Sequence, residues 1–178
     1  VLKTAVDAPI FSKKPGFYDA GFDLTLSAPA GTTIYYTLDG SDPTTDSQKY
    51  TGPIAISDVS FSQNVLSART DIAATDFMSQ VTAPTSPVDK GMILRAIAVD
   101  ANGASSSVAV GAYFIGYQNR ASFYRDCKVI SLVTDSANLF DYEKGIYVLG
   151  KTYDDWRNGP DYDYSTRTWE TVSYTHLT

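Results

Sequence analysis

Residues 33–44 read Thr-Ile-Tyr-Tyr-Thr-Leu-Asp-Gly-Ser-Asp-Pro-Thr, and this stretch decides the fold class. Its first half is rich in β-branched and aromatic residues, which favour a half-buried β-strand. Its second half predicts a tight turn, because Gly40 tolerates a positive φ and Pro43 fixes its own φ. The side chains expected on the core side of this strand are Ile34, Tyr36 and Leu38.

The same alternation recurs on both sides of this stretch. Residues 22–27 alternate strictly between apolar and polar side chains, and residues 54–56 repeat that period. Residues 92–99 are apolar on both faces apart from Arg95, which is typical of a central strand. Short strands at this spacing, separated by Pro- and Gly-containing turns, predict an all-β fold. We expect an antiparallel immunoglobulin-like β-sandwich over residues 9–116.

The sequence also predicts the last strand of the sandwich and a long connection between two of its strands. The last strand is expected to contain the alternating apolar residues Val108, Val110, Ala112 and Phe114, and the rings expected to face the core are those of Phe22, Tyr36 and Phe114. Between residues 57 and 91 the sequence is polar and contains two prolines, which predicts a long surface excursion with one strand at residues 65–69.

Beyond the sandwich the pattern changes, and a partial α+β segment is predicted for residues 117–170. Residues 128–134 are expected to form a buried strand, and residues 145–150 a further strand. Asp135-Ser136 is expected to cap a short helical turn through Phe140. Residues 153–169 are rich in Asp, Tyr and Trp, which is typical of a loop.

Composition excludes several classes of function. The 178 residues carry 14 Lys and Arg against 20 Asp and Glu, a net charge of -6, which argues against nucleic acid as a partner. The only cysteine, Cys127, is expected to be buried in a strand, and the only histidine, His176, lies near the end of the chain. A Cys/His zinc site, an internal disulfide and a histidine-dependent nucleophile are therefore not expected. No apolar run is long enough to predict membrane insertion.

Two motifs resemble ligand-binding sites, but their residues favour structural roles without a ligand. Residues 145–152 fit the P-loop expression G-x-x-x-x-G-K-[ST], yet their β-branched and aromatic side chains favour a strand that ends with Lys151 in solvent. The aspartates of residues 39–42 and 154–163 are expected to form turns, with calcium binding as the alternative. We therefore expect no catalytic residue, no cofactor and no metal ion in this chain.

Residues 9–115 resemble the chitobiase/β-hexosaminidase C-terminal-like domain, a small immunoglobulin-like sandwich of many surface and secreted bacterial proteins. The resemblance rests on residues 33–44, on Gly16-Phe17-Tyr18 and on residues 94–99. It implies an extracellular or cell-surface location.

Residues 117–170 resemble the beginning of the CotH family, the spore-coat-protein-H-like atypical protein kinases. Residues 129–135, 138–141 and 145–150 carry this resemblance. The nucleotide-binding lysine and metal-binding acids of such a kinase have no counterpart here. Residues 171–178 do not continue the family pattern and are expected to be a non-native or disordered tail.

These resemblances imply a non-catalytic accessory module of an extracellular bacterial CotH-like protein, used for spacing, presentation or weak binding. One alternative is a carbohydrate- or cell-surface-binding module that uses exposed aromatic rings. Another is a fragment of a secreted kinase whose activity lies downstream. The expected partners are cell-surface polysaccharide or other domains of the same parent, and the chain is expected to be monomeric. The candidate binding residues are Tyr35, Tyr153, Trp156 and Tyr162.

We predict that residues 9–116 fold alone, because they contain a complete set of alternating strands with turns between them. A truncated chain of these residues should give a β-type circular dichroism spectrum and a cooperative thermal transition. A broad, non-cooperative transition would contradict the domain boundary.

Overall fold

The computed structural model describes residues 6–69, 83–160, 162, 163 and 165. The chain divides into two compact units. The first comprises Val1–Ser62 and Asp89–Val133, and the second comprises Gln63–Val88 and Thr134–Thr178.

The first unit is a β-sandwich, and its described residues form nine strands: β1 (Ile10–Phe11), β2 (Gly16–Tyr18), β3 (Phe22–Leu24), β4 (Leu26–Ser27), β5 (Thr33–Thr37), β6 (Gln48–Lys49), β7 (Ile54–Ile56), β8 (Met92–Val99) and β9 (Ala109–Ile115). One sheet has the strand order β2-β9-β8-β5-β6, and the pairs β1-β4 and β3-β7 form the other layer. Every pairing is antiparallel except that of β2 with β9. The predicted all-β sandwich is confirmed.

Side chains from both layers meet in one core. Its buried members are Leu24, Leu26, Ile34, Tyr36, Ile54, Ile56, Leu94, Ala96, Tyr113 and Ile115. Complete burial of a large apolar side chain stabilises a fold by roughly 1.5–3 kcal/mol. Tyr113 also carries a polar group into this core, and its hydroxyl donates to the carbonyl oxygen of Lys13 at 2.9 Å. Burial raises the pKa of Tyr113 to about 12, so the hydroxyl stays protonated.

The inner face of β9 differs from the prediction. Tyr113 and Ile115 are buried in the core, whereas Val110 is exposed and Phe114 is half-buried on the opposite face. Both faces of β9 are apolar in sequence, so the alternation alone does not identify the inner one. Leu38 is also exposed, because it lies beyond the last residue of β5.

The turn after β5 is held from within the sheet. Gly40 adopts φ +84°, and Asp39 Oδ1 accepts hydrogen bonds from the backbone N–H and the hydroxyl of Ser41, at 3.0 and 2.6 Å. Arg95, buried on β8, donates to the Gly40 carbonyl at 2.9 Å and forms an ion pair with Asp42. The polar residue in an otherwise apolar strand therefore fixes the turn that follows β5.

A polar cluster holds the residues that follow β9. The chain leaves β9 through a 3₁₀ turn, Tyr117–Arg120, and helix α1 (Ala121–Tyr124). Arg120 lies 2.6 Å from Asp58 and 3.2 Å from Asp89, and its guanidinium group covers the ring of Tyr117. The Tyr124 hydroxyl donates to Asp89 at 2.7 Å. This cluster joins α1 to both ends of the excursion within the first unit.

The second unit contains short helices. They are a 3₁₀ turn at Leu66–Ala68, helix α2 (Ser136–Phe140) and helix α3 (Lys151–Arg157). The predicted cap is confirmed, since Asp135 Oδ1 accepts from the backbone N–H of Ala137 at 2.8 Å. The strands predicted at residues 65–69 and 145–150 are wrong, and α3 replaces the start of the predicted loop at residues 153–169.

The strand predicted at residues 128–134 is also wrong. These residues form no regular structure, and Ile130 and Leu132 are 87% and 73% exposed. Cys127 is exposed as well, rather than buried. High β-propensity alone does not make a strand, because a strand also needs a neighbour with which to pair its backbone. No described strand pairs with this segment.

Some predictions fall on residues outside those described. They include the tail at residues 171–178 and most of residues 161–170. Among the described helices, none has both the length and the hydropathy that crossing a membrane requires.

We predict that Arg120→Ala lowers the free energy of unfolding by about 1–2 kcal/mol, because it removes charge-assisted hydrogen bonds to Asp58 and Asp89. Arg125→Ala is the matched control. Arg125 pairs with Asp126 in a highly exposed position, so its loss should cost less than about 0.5 kcal/mol. Urea denaturation of both variants measures the difference, and equal effects would contradict a structural role for the cluster.

The effect of Arg120→Ala should also depend on pH. Burial of Asp58 opposes its ionisation, but hydrogen bonds from Ser60 and Arg120 outweigh burial and hold the pKa of this carboxyl below its usual value. A lowered pKa in the folded state stabilises the protein above the pKa of the unfolded chain, about 3.9. That stabilisation is lost as the pH falls through the folded pKa. The difference between wild type and variant should therefore stay constant above about pH 5 and shrink as the pH falls below about 4.

Candidate functional site

Three of the four predicted binding residues lie together in the second unit. Tyr153 and Trp156 are three residues apart on α3, which places them on one side of the helix, and their ring centroids are 5.7 Å apart. Tyr162 follows the helix, with its ring 4.9 Å from that of Trp156. The guanidinium group of Arg157 lies 4.6 Å from the Tyr162 ring. We call Tyr153, Trp156, Arg157 and Tyr162 the α3 aromatic cluster.

This cluster is shaped more like a small core than a flat binding surface. Tyr153 is only 3% exposed, so the expectation of an exposed ring at this position is wrong. The short helix α3 turns this side chain inward. The Trp156 and Tyr162 rings meet at 68°, edge to face, and the indole nitrogen of Trp156 is buried. Sugar rings stack best on a flat aromatic face, and rings packed edge to face form no continuous flat surface.

Tyr35, the fourth predicted residue, belongs to the first unit. It lies on β5 opposite Lys49 of β6 and Ile97 of β8, and it is half-buried. The four candidates are therefore divided between two units. The binding roles of Tyr35, Tyr153, Trp156 and Tyr162 stay predictions.

A stacked aromatic pair on the outer face of the sandwich was not predicted. The parallel pairing of β2 with β9 places Phe17 opposite Phe114. Their ring centroids are 4.9 Å apart with planes at 24°, and Phe17 is 54% exposed. Tyr117 meets both rings edge to face, and Gly91 leaves room for the Phe114 ring, since a Cβ there would lie 2.6 Å from it. We call Phe17 and Phe114 the β2–β9 aromatic pair, and Tyr117 flanks it.

A signal for this pair was present in the sequence. Phe17 lies next to Tyr18, which packs against the core, so strand alternation directs Phe17 outward. The parallel pairing with β9 was not readable, because it joins residues almost one hundred positions apart.

Residues 145–152, the P-loop-like string, adopt a structure that leaves few free backbone N–H groups to bind a phosphate. Residues 141–148 are turns rather than a strand, and Lys151 begins α3. Four backbone N–H groups of the string donate to nearby carbonyl groups, namely Gly145 to Asp141, Ile146 to Asn138, Tyr147 to Leu139 and Lys151 to Tyr142. A P-loop needs such N–H groups for its ligand.

The two glycines of the string have a packing explanation. A Cβ at Gly145 would lie 2.5 Å from the Asp141 carbonyl oxygen, and a Cβ at Gly150 would lie 2.1 Å from that of Tyr142. Only glycine allows the backbone to approach so closely. Lys151 is exposed, as predicted, and its ammonium group pairs with Asp155 one turn later on α3.

The aspartates of the first candidate calcium loop have partners within the chain. Hydrogen bonds from Ser41 hold the pKa of Asp39 below its usual value, and Asp42 pairs with Arg95. In the second loop, Asp154 accepts from the Tyr142 hydroxyl at 2.8 Å, and Asp155 pairs with Lys151. Across the described residues, no three His, Cys, Asp or Glu side chains are grouped so as to hold a metal ion.

Comparison with known families identifies the sandwich. Residues 23–113, slightly more than half of the chain, match the family model described as Fn3 associated. The chain belongs to the Fn3 associated family. The matched residues run from β3 into β9 and leave out β1 and β2, so the family match covers most of the sandwich. Fn3-associated domains are immunoglobulin-like modules of a non-catalytic type. No curated protein and no solved structure matches the chain.

We predict that the chain does not bind ATP. Isothermal titration of Mg-ATP into the chain should give no heat of specific binding, because four backbone N–H groups and the lysine of the string already have partners. Lys151→Ala should leave this result unchanged, and Lys144→Ala, an exposed lysine just before the string, is the control. Micromolar binding that Lys151→Ala abolishes and Lys144→Ala retains would contradict the prediction.

Proposed function

We propose that this chain supplies a non-catalytic β-sandwich accessory module that acts as a spacer or presents neighbouring domains of an extracellular bacterial protein. One observation carries the proposal. The residues that match the Fn3-associated family make up most of a sandwich whose core is built entirely from residues of the first unit. A module with its own core can be placed between other domains without depending on them.

Hydrogen bonds and ion pairs near both ends of the first unit support its role as a spacer. Near its start, the hydroxyls of Tyr113 and Tyr18 donate to the carbonyl oxygens of Lys13 and Lys14, at 2.9 and 2.7 Å. Near its end, Arg120 bonds to Asp58 and Asp89. Because both ends are attached to the body of the unit, the module can hold its neighbours at a defined separation.

The proposal extends to the parent protein. The resemblance of residues 33–44 to chitobiase/β-hexosaminidase C-terminal-like domains supports an extracellular or cell-surface location. The resemblance of residues 129–135 and 145–150 supports a CotH-like parent. In such a parent, phosphoryl transfer would belong to residues other than these, and this chain itself would not be an enzyme.

A second candidate function is binding to cell-surface polysaccharide, and the β2–β9 aromatic pair favours it. Phe17 is half-exposed and lies flat on Phe114, so its free face is available for stacking against a sugar ring. The α3 aromatic cluster is less suited, because its rings meet edge to face.

Affinity electrophoresis in native gels that contain soluble chitin, peptidoglycan or teichoic-acid fragments separates the two functions. For a spacer, the wild-type chain should migrate as it does in a gel without glycan, and Phe17→Ala and Trp156→Ala should behave alike. Val110→Ala is the matched control, because Val110 is also an exposed apolar residue and lies on β9, the strand next to that of Phe17. Retardation that Phe17→Ala abolishes and Val110→Ala retains would contradict a pure spacer and support polysaccharide binding.

A further inference from the structure

Residues 128–133, Lys-Val-Ile-Ser-Leu-Val, form an exposed apolar segment at the end of the first unit. Ile130 and Leu132 are its most exposed side chains, at 87% and 73%. No hydrogen bond joins the backbone of residues 128–133 to any other described residue. The segment therefore has the composition of a strand but none of the backbone pairing of one.

Such a segment is a template for strand pairing. Residues 129–133 contain three β-branched residues and a leucine, with no charge, no proline and no glycine. Natural proteins usually protect an unpaired strand with charges, proline or a bulge, because its free N–H and C=O groups pair readily with another chain. None of these protections lies within residues 129–133.

The sequence of the segment indicates which chain fits it. Val129 and Val133 are equidistant from Ser131, and so are Ile130 and Leu132. In an antiparallel pair centred on Ser131, valine therefore lies opposite valine and isoleucine opposite leucine. A second copy supplies this complementary order by symmetry, and twofold interfaces of this kind are the commonest in soluble oligomers.

Charges at the ends of the segment are compatible with this register. Lys128 of one copy lies opposite Thr134 of the other, so no like charges face each other across the pair. Ile130 and Leu132 of both copies share one face, which shields four of the exposed apolar side chains. Val129 and Val133 share the other face.

We propose that two copies of this chain associate through residues 129–133, which pair as antiparallel strands about a twofold axis at Ser131. The contact involves about five residues from each copy, well below the roughly 800 Å² per partner that stable complexes bury. The dimer is therefore weak and depends on protein concentration. At low concentration the chain is the monomer that the sequence analysis expects.

Sedimentation equilibrium of the whole chain, from about 5 to 500 µM, tests the association. The weight-average mass should rise with concentration, and Ile130→Lys should raise the dissociation constant at least tenfold. Phe61→Lys is the matched control, because Phe61 is a similarly exposed apolar residue of the first unit, at 84%. Ile130 is exposed, so its replacement should leave the thermal transition unchanged, which separates lost association from lost folding. A constant monomer mass, or an equal loss in Phe61→Lys, would overturn the proposal.

Cysteine cross-linking tests the register. In the proposed pair, the two residues at position 131 are neighbours, whereas the two Cys127 side chains are eight residues apart, roughly 26 Å. With a mild thiol oxidant, Ser131→Cys in a Cys127→Ala background should form a covalent dimer, and the unchanged chain with Cys127 should not. Cross-linking through Cys127 but not through position 131 would overturn the antiparallel register.

Discussion

The burial of Tyr113 is the constraint on which the sandwich depends. Its strand, β9, lies between β2 and β8, and its ring contacts those of Tyr18 and Phe22. Its hydroxyl also reaches the Lys13 carbonyl, so one side chain joins an inner strand of the larger sheet to the segment between β1 and β2. A tyrosine without that hydrogen bond would bury an unpaired polar group at a cost of about 1–3 kcal/mol.

The sequence predicted the elements whose signals are local. β5 and β7 follow from alternation, β8 follows from a run that is apolar on both faces, and the turn at residues 39–43 follows from its glycine and proline. The α2 cap followed from Asp135. The strands predicted at residues 128–134 and 145–150 failed for a common reason. Their side chains favour a strand, but strand formation depends on a partner edge, and a partner edge is a non-local property that residue composition does not report.

The candidate binding residues show the same difference between local signals, which the sequence reports, and non-local contacts, which it does not. Tyr153 was placed in a loop because residues 153–169 are rich in Asp, Tyr and Trp, yet α3 forms over Lys151–Arg157 and turns the ring inward. Phe17 was overlooked because its stacking partner, Phe114, was placed in the core. The glycines of residues 145–152 match a ligand-binding expression, although close backbone approach accounts for both of them. In each case the missing information was which distant part of the chain lies against the residue.

The parallel pairing of β2 with β9 gives the sandwich a particular mechanical geometry. Gly16 lies beside Tyr113 and Tyr18 beside Ile115, and the N–H of Gly116 continues the ladder by donating to Tyr18 at 2.9 Å. When the chain before β2 and the chain after β9 are pulled apart, the force acts along the two strands in opposite directions. It loads these hydrogen bonds together in shear, whereas an antiparallel terminal pair would open one bond at a time like a zipper. Tension between neighbouring domains would therefore act on the sandwich in the direction in which this strand pair best resists separation.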